Sequence, residues 1–180
     1  GNRDIYFLGK GVSVSSSGSP ESTIINAGGN NHRIFVFEPH GSYPAETAST
    51  VIEGLTIEGG YFSNGTDGAG IYINGASPVF NNCIIRDNEV YQYANNSNSS
   101  GGGVYANNSS SVFTGCSILN NKVHTEVNHS SYDASSYGGG IYIIGNSNIT
   151  LQNCIINDND AYAHDHNNNG SSVGYVFGGG

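Results

Sequence analysis

The feature that most limits what this chain can fold into is a short glycine-led phrase that returns at long, nearly regular intervals. Gly-Ala-Gly-Ile-Tyr-Ile starts at Gly68, Gly-Gly-Gly-Val-Tyr-Ala at Gly101 and Gly-Gly-Gly-Ile-Tyr-Ile at Gly138. A fourth Gly-Gly-Gly opens at Gly178, so the spacings are 33, 37 and 40 residues. Cys83, Cys116 and Cys154 travel with the phrase, 15, 15 and 16 residues after its opening glycine. Periods of this length mark arrays in which each repeat buries its apolar side only by stacking on a neighbour.

The repeat parses into strands. Ile71 and Ile73 flank Tyr72 in the period-2 alternation of a strand, as do Val104 and Ala106 around Tyr105, and Ile141 and Ile143 around Tyr142. A second strand ends at Phe80, Phe113 and Leu151. Two residues on stand Asn82, Gly115 and Asn153, residue types that share tolerance of the left-handed region, which predicts a tight αL bend. A third strand turns Cys83 and Ile85 inward, matched by Cys116 with Ile118 and Cys154 with Ile156. Asn88, Asn121 and Asn159 mark the next turn, before Val90, Val123 and Ala161 point back inside. Length changes collect in one place, at 91–100, 124–137 and 162–177, with one further residue near Gly145.

This pattern predicts an all-β solenoid: a right-handed parallel β-helix of about five coils, roughly 4.8 Å apart, with three short strands per coil and long loops on one side. Upstream, Val51–Ile57 follows Val79–Ile85, with Gly54 at the bend and Leu55 at the cysteine position. Strands of earlier coils are expected at 5–8, 11–14, 22–26 and 34–37. Nothing marks a second domain, so residues 1–180 form one unit. Stacking predicts side-chain ladders at Ile71, Val104 and Ile141, at Phe80, Phe113 and Leu151, and at Cys83, Cys116 and Cys154. The cysteine intervals follow the repeat and no zinc pattern, so the thiols read as small buried hydrophobes. The asparagines would satisfy turn amides by stacking. Tyr72, Tyr105 and Tyr142 should form an outward column, either a sugar-binding or assembly stripe or a strand face packed under the neighbouring loop.

At this level the text resembles the right-handed parallel β-helix repeat proteins of the pectin-lyase-like superfamily. The resemblance rests on Ser22–Gly29, on Val51–Gly60, and on Gly-Gly-Gly-Ile-Tyr together with Ser-Pro-Val-Phe-Asn-Asn-Cys at 77–83. It is similar more narrowly to large exported bacterial proteins akin to polymorphic outer-membrane proteins. The resemblance implies the fold, whereas the architecture hosts lyases, hydrolases, adhesins and scaffolds alike.

Composition narrows the function classes. Only 11% of residues are charged, against about 25% in ordinary chains. With 14 acids against 5 bases the net charge is −9, which disfavours nucleic acid and acidic polymers. No apolar run approaches the roughly 18 residues of a membrane span. An Asn-, Gly- and Ser-rich, charge-poor surface fits an extracellular or cell-surface protein. There is no methionine, so a processed product or internal segment is expected, and Gly178 announces a further coil, from the same chain or a second subunit.

Related enzymes of this architecture use clustered Asp with Arg, Lys or His. Here Arg3, Lys10, Arg33, Arg86 and Lys122 are scattered, and no catalytic residues, cofactor or metal site are assigned. Asp87, Glu89, Asp158 and Asp160 could offer calcium hard oxygens, but Asn120 and Lys122 interrupt the acid column. His124, His129, His164 and His166 read as solvated loop residues. No Thr ladder recurs, so ice binding is set aside. Sequons that could be glycosylated begin at Asn64, Asn95, Asn98, Asn107, Asn108, Asn128, Asn148 and Asn169. The reading that results is a structural or adhesive scaffold, a rod in a surface protein or filament, partnered by itself, other surface proteins or glycans. The alternative is a carbohydrate-binding or polysaccharide-degrading module.

Overall fold

The computed structural model describes residues 1–63, 67–93, 97–127, 134–165 and 174–177. Its strands all pair in parallel, each with the equivalent strand one coil away, in five sheets. Sheet I stacks Ile5–Tyr6, Phe35–Phe37, Ile71–Asn74, Val104–Asn107 and Ile141–Ile144. Sheet II stacks Ser13–Ser15, Val51–Glu53, Val79–Asn81, Val112–Thr114 and Thr150–Gln152. Sheet III stacks Ile24–Asn26, Thr56–Glu58, Ile84–Arg86, Ser117–Leu119 and Ile155–Asn157. These three sheets enclose the core, and each has five strands, one per coil.

Period-2 alternation puts one side chain in two inside, and parallel stacking lines them up. Phe35, Ile71, Val104 and Ile141 are successive register partners on sheet I. On sheet II the column runs Val14, Ile52, Phe80, Phe113, Leu151, with the Phe80 and Phe113 rings stacked at 4.7 Å. Sheet III contributes Ile25, Ile57, Ile85, Ile118 and Ile156. Cys83 and Cys116 are buried and free, and Cys154 is half-buried in the last described coil. Their thiols donate to main-chain carbonyls, Cys83 to Asn81 at 3.3 Å and Cys154 to Phe113 at 3.4 Å. Leu151 and Ile155 in that coil are 39% and 60% exposed.

Both turns are left-handed. Gly54, Asn82, Gly115 and Asn153 have φ of 67, 49, 63 and 53° at the bend between sheets II and III. At the next turn Asp87, Asn120 and Asp158 take φ of 54, 53 and 56°. This places the following asparagine inward. Asn88 and Asn121 are fully buried, and the ladder passes amide to amide: Asn88 Nδ2 donates to Asn121 Oδ1, and Asn121 Nδ2 to Asn159 Oδ1, each at 3.0 Å. The Gly-Gly-Gly phrase is explained by its surroundings. Its first glycine is left-handed, with φ of 62° at Gly101. Its third presses on the asparagines: a Cβ on Gly103 would lie 2.6 Å from the Gly140 oxygen and 2.8 Å from Asn121 Nδ2.

The loop side departs from expectation in being built of strands. Tyr61–Ser63, Glu89–Tyr93, Lys122–Val127 and Asp160–Asp165 form sheet IV, and Ser97–Ser100, Ala134–Tyr137 and Gly174–Phe177 form sheet V. The two sheets pack on each other as a fin projecting from the coil. The fin interior near the coil is apolar, with Val90 and Val123 buried against Ala69. Farther out it is polar. Thr125 Oγ1 donates to the Ser135 carbonyl at 3.1 Å, and Ser136 Oγ lies 2.6 Å from the Tyr162 carbonyl. One smaller difference lies upstream, where Pro20–Ser22 is a 3₁₀ turn and the strand begins at Ile24. The fixed φ of Pro20 favours that turn over an extended start at Ser22.

Candidate functional site

The outward side chains of sheets I and IV are the two surfaces on which the coils repeat a chemical pattern. On sheet I, Tyr72 and Tyr105 stack at 5.2 Å with planes 7° apart, and Tyr105 leads to Tyr142 at 6.1 Å. Tyr137 of the fin lies against Tyr142 at 5.4 Å. At the foot of the column the Arg33 guanidinium sits 3.8 Å from the Phe62 ring and 4.6 Å from Tyr72. Its Nε and Nη2 donate to the Asp67 carbonyl at 3.0 and 2.9 Å. Burial lowers the Arg33 pKa, opposed by the neighbouring Tyr72 and Asp67. Burial also pushes the Tyr105 hydroxyl up to about 12. Tyr105 is 9% exposed and Tyr72 and Tyr142 are half-buried on either side of it, so the column packs at the root of the fin more than it faces solvent.

Sheet IV is different because its outer face is open. Each strand alternates, so Glu89, Tyr91 and Tyr93 point out, followed one coil on by Lys122, His124 and Glu126, and then by Asp160, Tyr162 and His164. Three columns result. In the middle one, His124 is wedged edge-on between Tyr91 at 5.2 Å and Tyr162 at 4.9 Å. Beside it Glu126 Oε2 accepts from Tyr91 OH at 3.1 Å, and its Oε1 lies 2.9 Å from His124 Nε2 without hydrogen-bond geometry. Burial first, and then the Glu126 contact, raise the Tyr91 pKa. Tyr93 and Tyr162 remain 46% and 45% exposed.

Expected as loop residues, His124 and His164 therefore stand on strands; His129 and His166 lie outside the described residues. The signal that reveals sheet IV is in the sequence: alternation continues past Val90 as Tyr-Gln-Tyr and past Val123 as His-Thr-Glu-Val. Its inward members Gln92 and Thr125 are polar, which hides the period.

Asp87 and Glu89 border a cleft of about 190 Å³ with Asn88, Asn120 and Lys122. Arg86 Nε lies 3.6 Å from Asp87, and Asp158 accepts from Asn157. Among the described residues no group of three or more His, Cys, Asp or Glu side chains converges as a metal site would. Of the sequons, Asn98, Asn108 and Asn148 are exposed, while Asn107 donates to Asn74 at 3.2 Å along the sheet I stack. Asn64, Asn95, Asn128 and Asn169 lie outside the described residues.

A solenoid of parallel coils with internal ladders and a strand-built fin defines a β-helix protein. The chain belongs to the right-handed beta helix region family, whose sequence model matches residues 5–176. No curated protein and no solved structure matches it.

Proposed function

We propose that the chain is an extracellular structural or adhesive scaffold, a rod within a cell-surface protein or filament. The observation that carries this reading is the asparagine ladder of Asn88, Asn121 and Asn159, which runs through three of the five coils and hydrogen-bonds each of them to the next. Such a stack is rigid along its axis and acts as a template for further pairing at its strand edges. The role is mechanical, not catalytic. Oppositely charged groups that the coils bring together are engaged with each other, Arg86 with Glu58 at 2.9 Å and His32 with Asp4 at 2.6 Å. Partners are other copies, other surface proteins or glycans.

Protease shaving of intact source cells tests the location, and electron microscopy of the purified chain tests the form. Five coils at roughly 4.8 Å each give a single chain no long axis, so the rod is read from chains stacked end to end. Release of fragments from intact cells and such stacks are expected, whereas protection until lysis, or single particles at every concentration, overturns the reading. A carbohydrate-binding module is the second reading, favoured by the exposed Tyr93 and Tyr162 on sheet IV.

A further inference from the structure

We propose that the outer face of sheet IV is a binding site for a neutral polysaccharide running along the rod axis across the strands. The inference rests on the carbohydrate-binding reading and assigns it a place and a ligand class. The first argument is what the face displays. Outward positions along 89–93, 122–126 and 160–164 alternate aromatic, imidazole and charged groups, and none carries an aliphatic side chain. A protein-docking patch has a more apolar centre depleted of charge, whereas Glu89, Lys122, Glu126 and Asp160 run through this face. A pyranose instead offers C–H faces rimmed by hydroxyls, which fits rings interleaved with hydrogen-bonding groups.

The second argument is spacing. Tyr93 and Tyr162 are two strands apart and offset by two residues along the strand, which places them roughly 12 Å from each other. On an extended chain that separation reaches from one sugar ring past its neighbour to the next but one. Between them stand His124 and Glu126, and the Tyr91 hydrogen bond holds the Glu126 carboxylate against the sheet. A carboxylate held in this way is an oriented acceptor for sugar hydroxyls.

The third argument is charge. Glu89, Glu126 and Asp160 face outward against the single Lys122, so the face repels polyanions, as does the whole chain at −9. Uncharged glycans are left as the ligand class.

The test is binding of the full chain to linear neutral hexasaccharides of glucose, mannose and N-acetylglucosamine, with oligogalacturonate as the acidic counterpart, read by calorimetry. Tyr93→Ala and Tyr162→Ala are each expected to weaken binding of a neutral hexasaccharide roughly tenfold, the size of one lost stacking contact. Tyr162→Phe should retain it. Tyr43→Ala, an equally exposed ring elsewhere at 49%, should leave affinity unchanged. Circular dichroism checks that each variant is folded. Binding that survives both sheet IV substitutions overturns the site while leaving the carbohydrate reading standing. Absence of binding to every oligosaccharide overturns both. Preference for the acidic oligomer overturns the ligand class.

Discussion

Replacing Asn121 by alanine should be the most damaging single truncation of a polar side chain in this fold. The side chain makes four hydrogen bonds inside the stack. Its Oδ1 accepts from the Asn88 main-chain N–H at 3.2 Å and from Asn88 Nδ2 at 3.0 Å. Its Nδ2 donates to the Ile85 carbonyl at 2.9 Å and to Asn159 Oδ1 at 3.0 Å. Each such bond contributes about 1 kcal/mol net, so the four together give about 4 kcal/mol. Asn88 Nδ2 keeps the Ile57 carbonyl and Asn159 Oδ1 keeps the Asn121 N–H, but the Asn88 main-chain N–H loses its partner in a buried site. Asn107→Ala is the reference: it removes one 3.2 Å bond at a half-buried position and should cost less than about 1 kcal/mol. Asn121→Asp keeps the shape and replaces a donor by an acceptor facing two oxygens, so it should be at least as damaging as alanine. Urea unfolding followed by circular dichroism supplies the midpoints and slopes. Equal midpoints for Asn121→Ala and Asn107→Ala, or a harmless Asn121→Asp, would refute the idea that the ladder bonds hold the coils together.

Gly103→Ala forces a Cβ to 2.6 Å from the Gly140 oxygen and should lower stability by roughly 1–3 kcal/mol in the same urea assay. By contrast Gly28, with open space around its Cβ and φ of +77°, should lose only about 1 kcal/mol on the same change. Hydrogen bonding with Cys83 and burial push the Cys116 thiol up, and Cys154 is the least covered of the three. Timed alkylation with mass spectrometry should therefore label Cys154 first and reach Cys83 and Cys116 only on unfolding. Burial holds Tyr105 at about 12, above its ordinary value of 10.0, so its contribution is full below pH 10 and is lost as pH rises toward 12. Tyr105→Phe should flatten that alkaline limb when urea midpoints are measured from pH 9 to 12.

The coil was legible because several independent signals share one period. The αL bend at Asn82, Gly115 and Asn153, the buried asparagines and the Phe80–Phe113 stack all follow from residues recurring in register with the glycine phrase. The fin was not legible, for two physical reasons. Its inward residues include Gln92, Ser99, Thr125 and Ser136, all buried, so the hydrophobic alternation that marks a strand fades although the strands persist. Its segments also change length from coil to coil, which disguises the register that Glu126 and His164 share. The Tyr91–His124–Tyr162 column is hidden with it, because the coil-to-coil length changes begin at Tyr91. The outward tyrosine column on sheet I is visible in sequence, and of its two readings the strand face packed under the neighbouring segment is the one that holds, with Tyr137 set against Tyr142.

That division of labour within each coil bears on where recognition can evolve. In sheets I, II and III a one-residue slip would move an entire ladder off its partners and turn core side chains outward. Register within the strands there is fixed by bends, asparagines and aromatic stacks at once, so insertions fall between strands, as 38–50 does where the next coil has only 75–78. The outer fin is joined by bonds such as Thr125 to the Ser135 carbonyl and Ser136 to the Tyr162 carbonyl, which need a local partner but no common period. Lengthening between a sheet IV strand and its sheet V strand leaves those bonds intact. The residues between the sheet IV and sheet V strands accordingly grow from 3 at 94–96 to 6 at 128–133 and 8 at 166–173. Sheet IV thus combines a backbone register set by the coil with side chains that the core does not constrain. His124 between two tyrosines, and Glu126 where Tyr93 stands one coil earlier, are substitutions that the core columns could not accept. A surface that must meet a ligand is better placed there than on the buried column of sheet I.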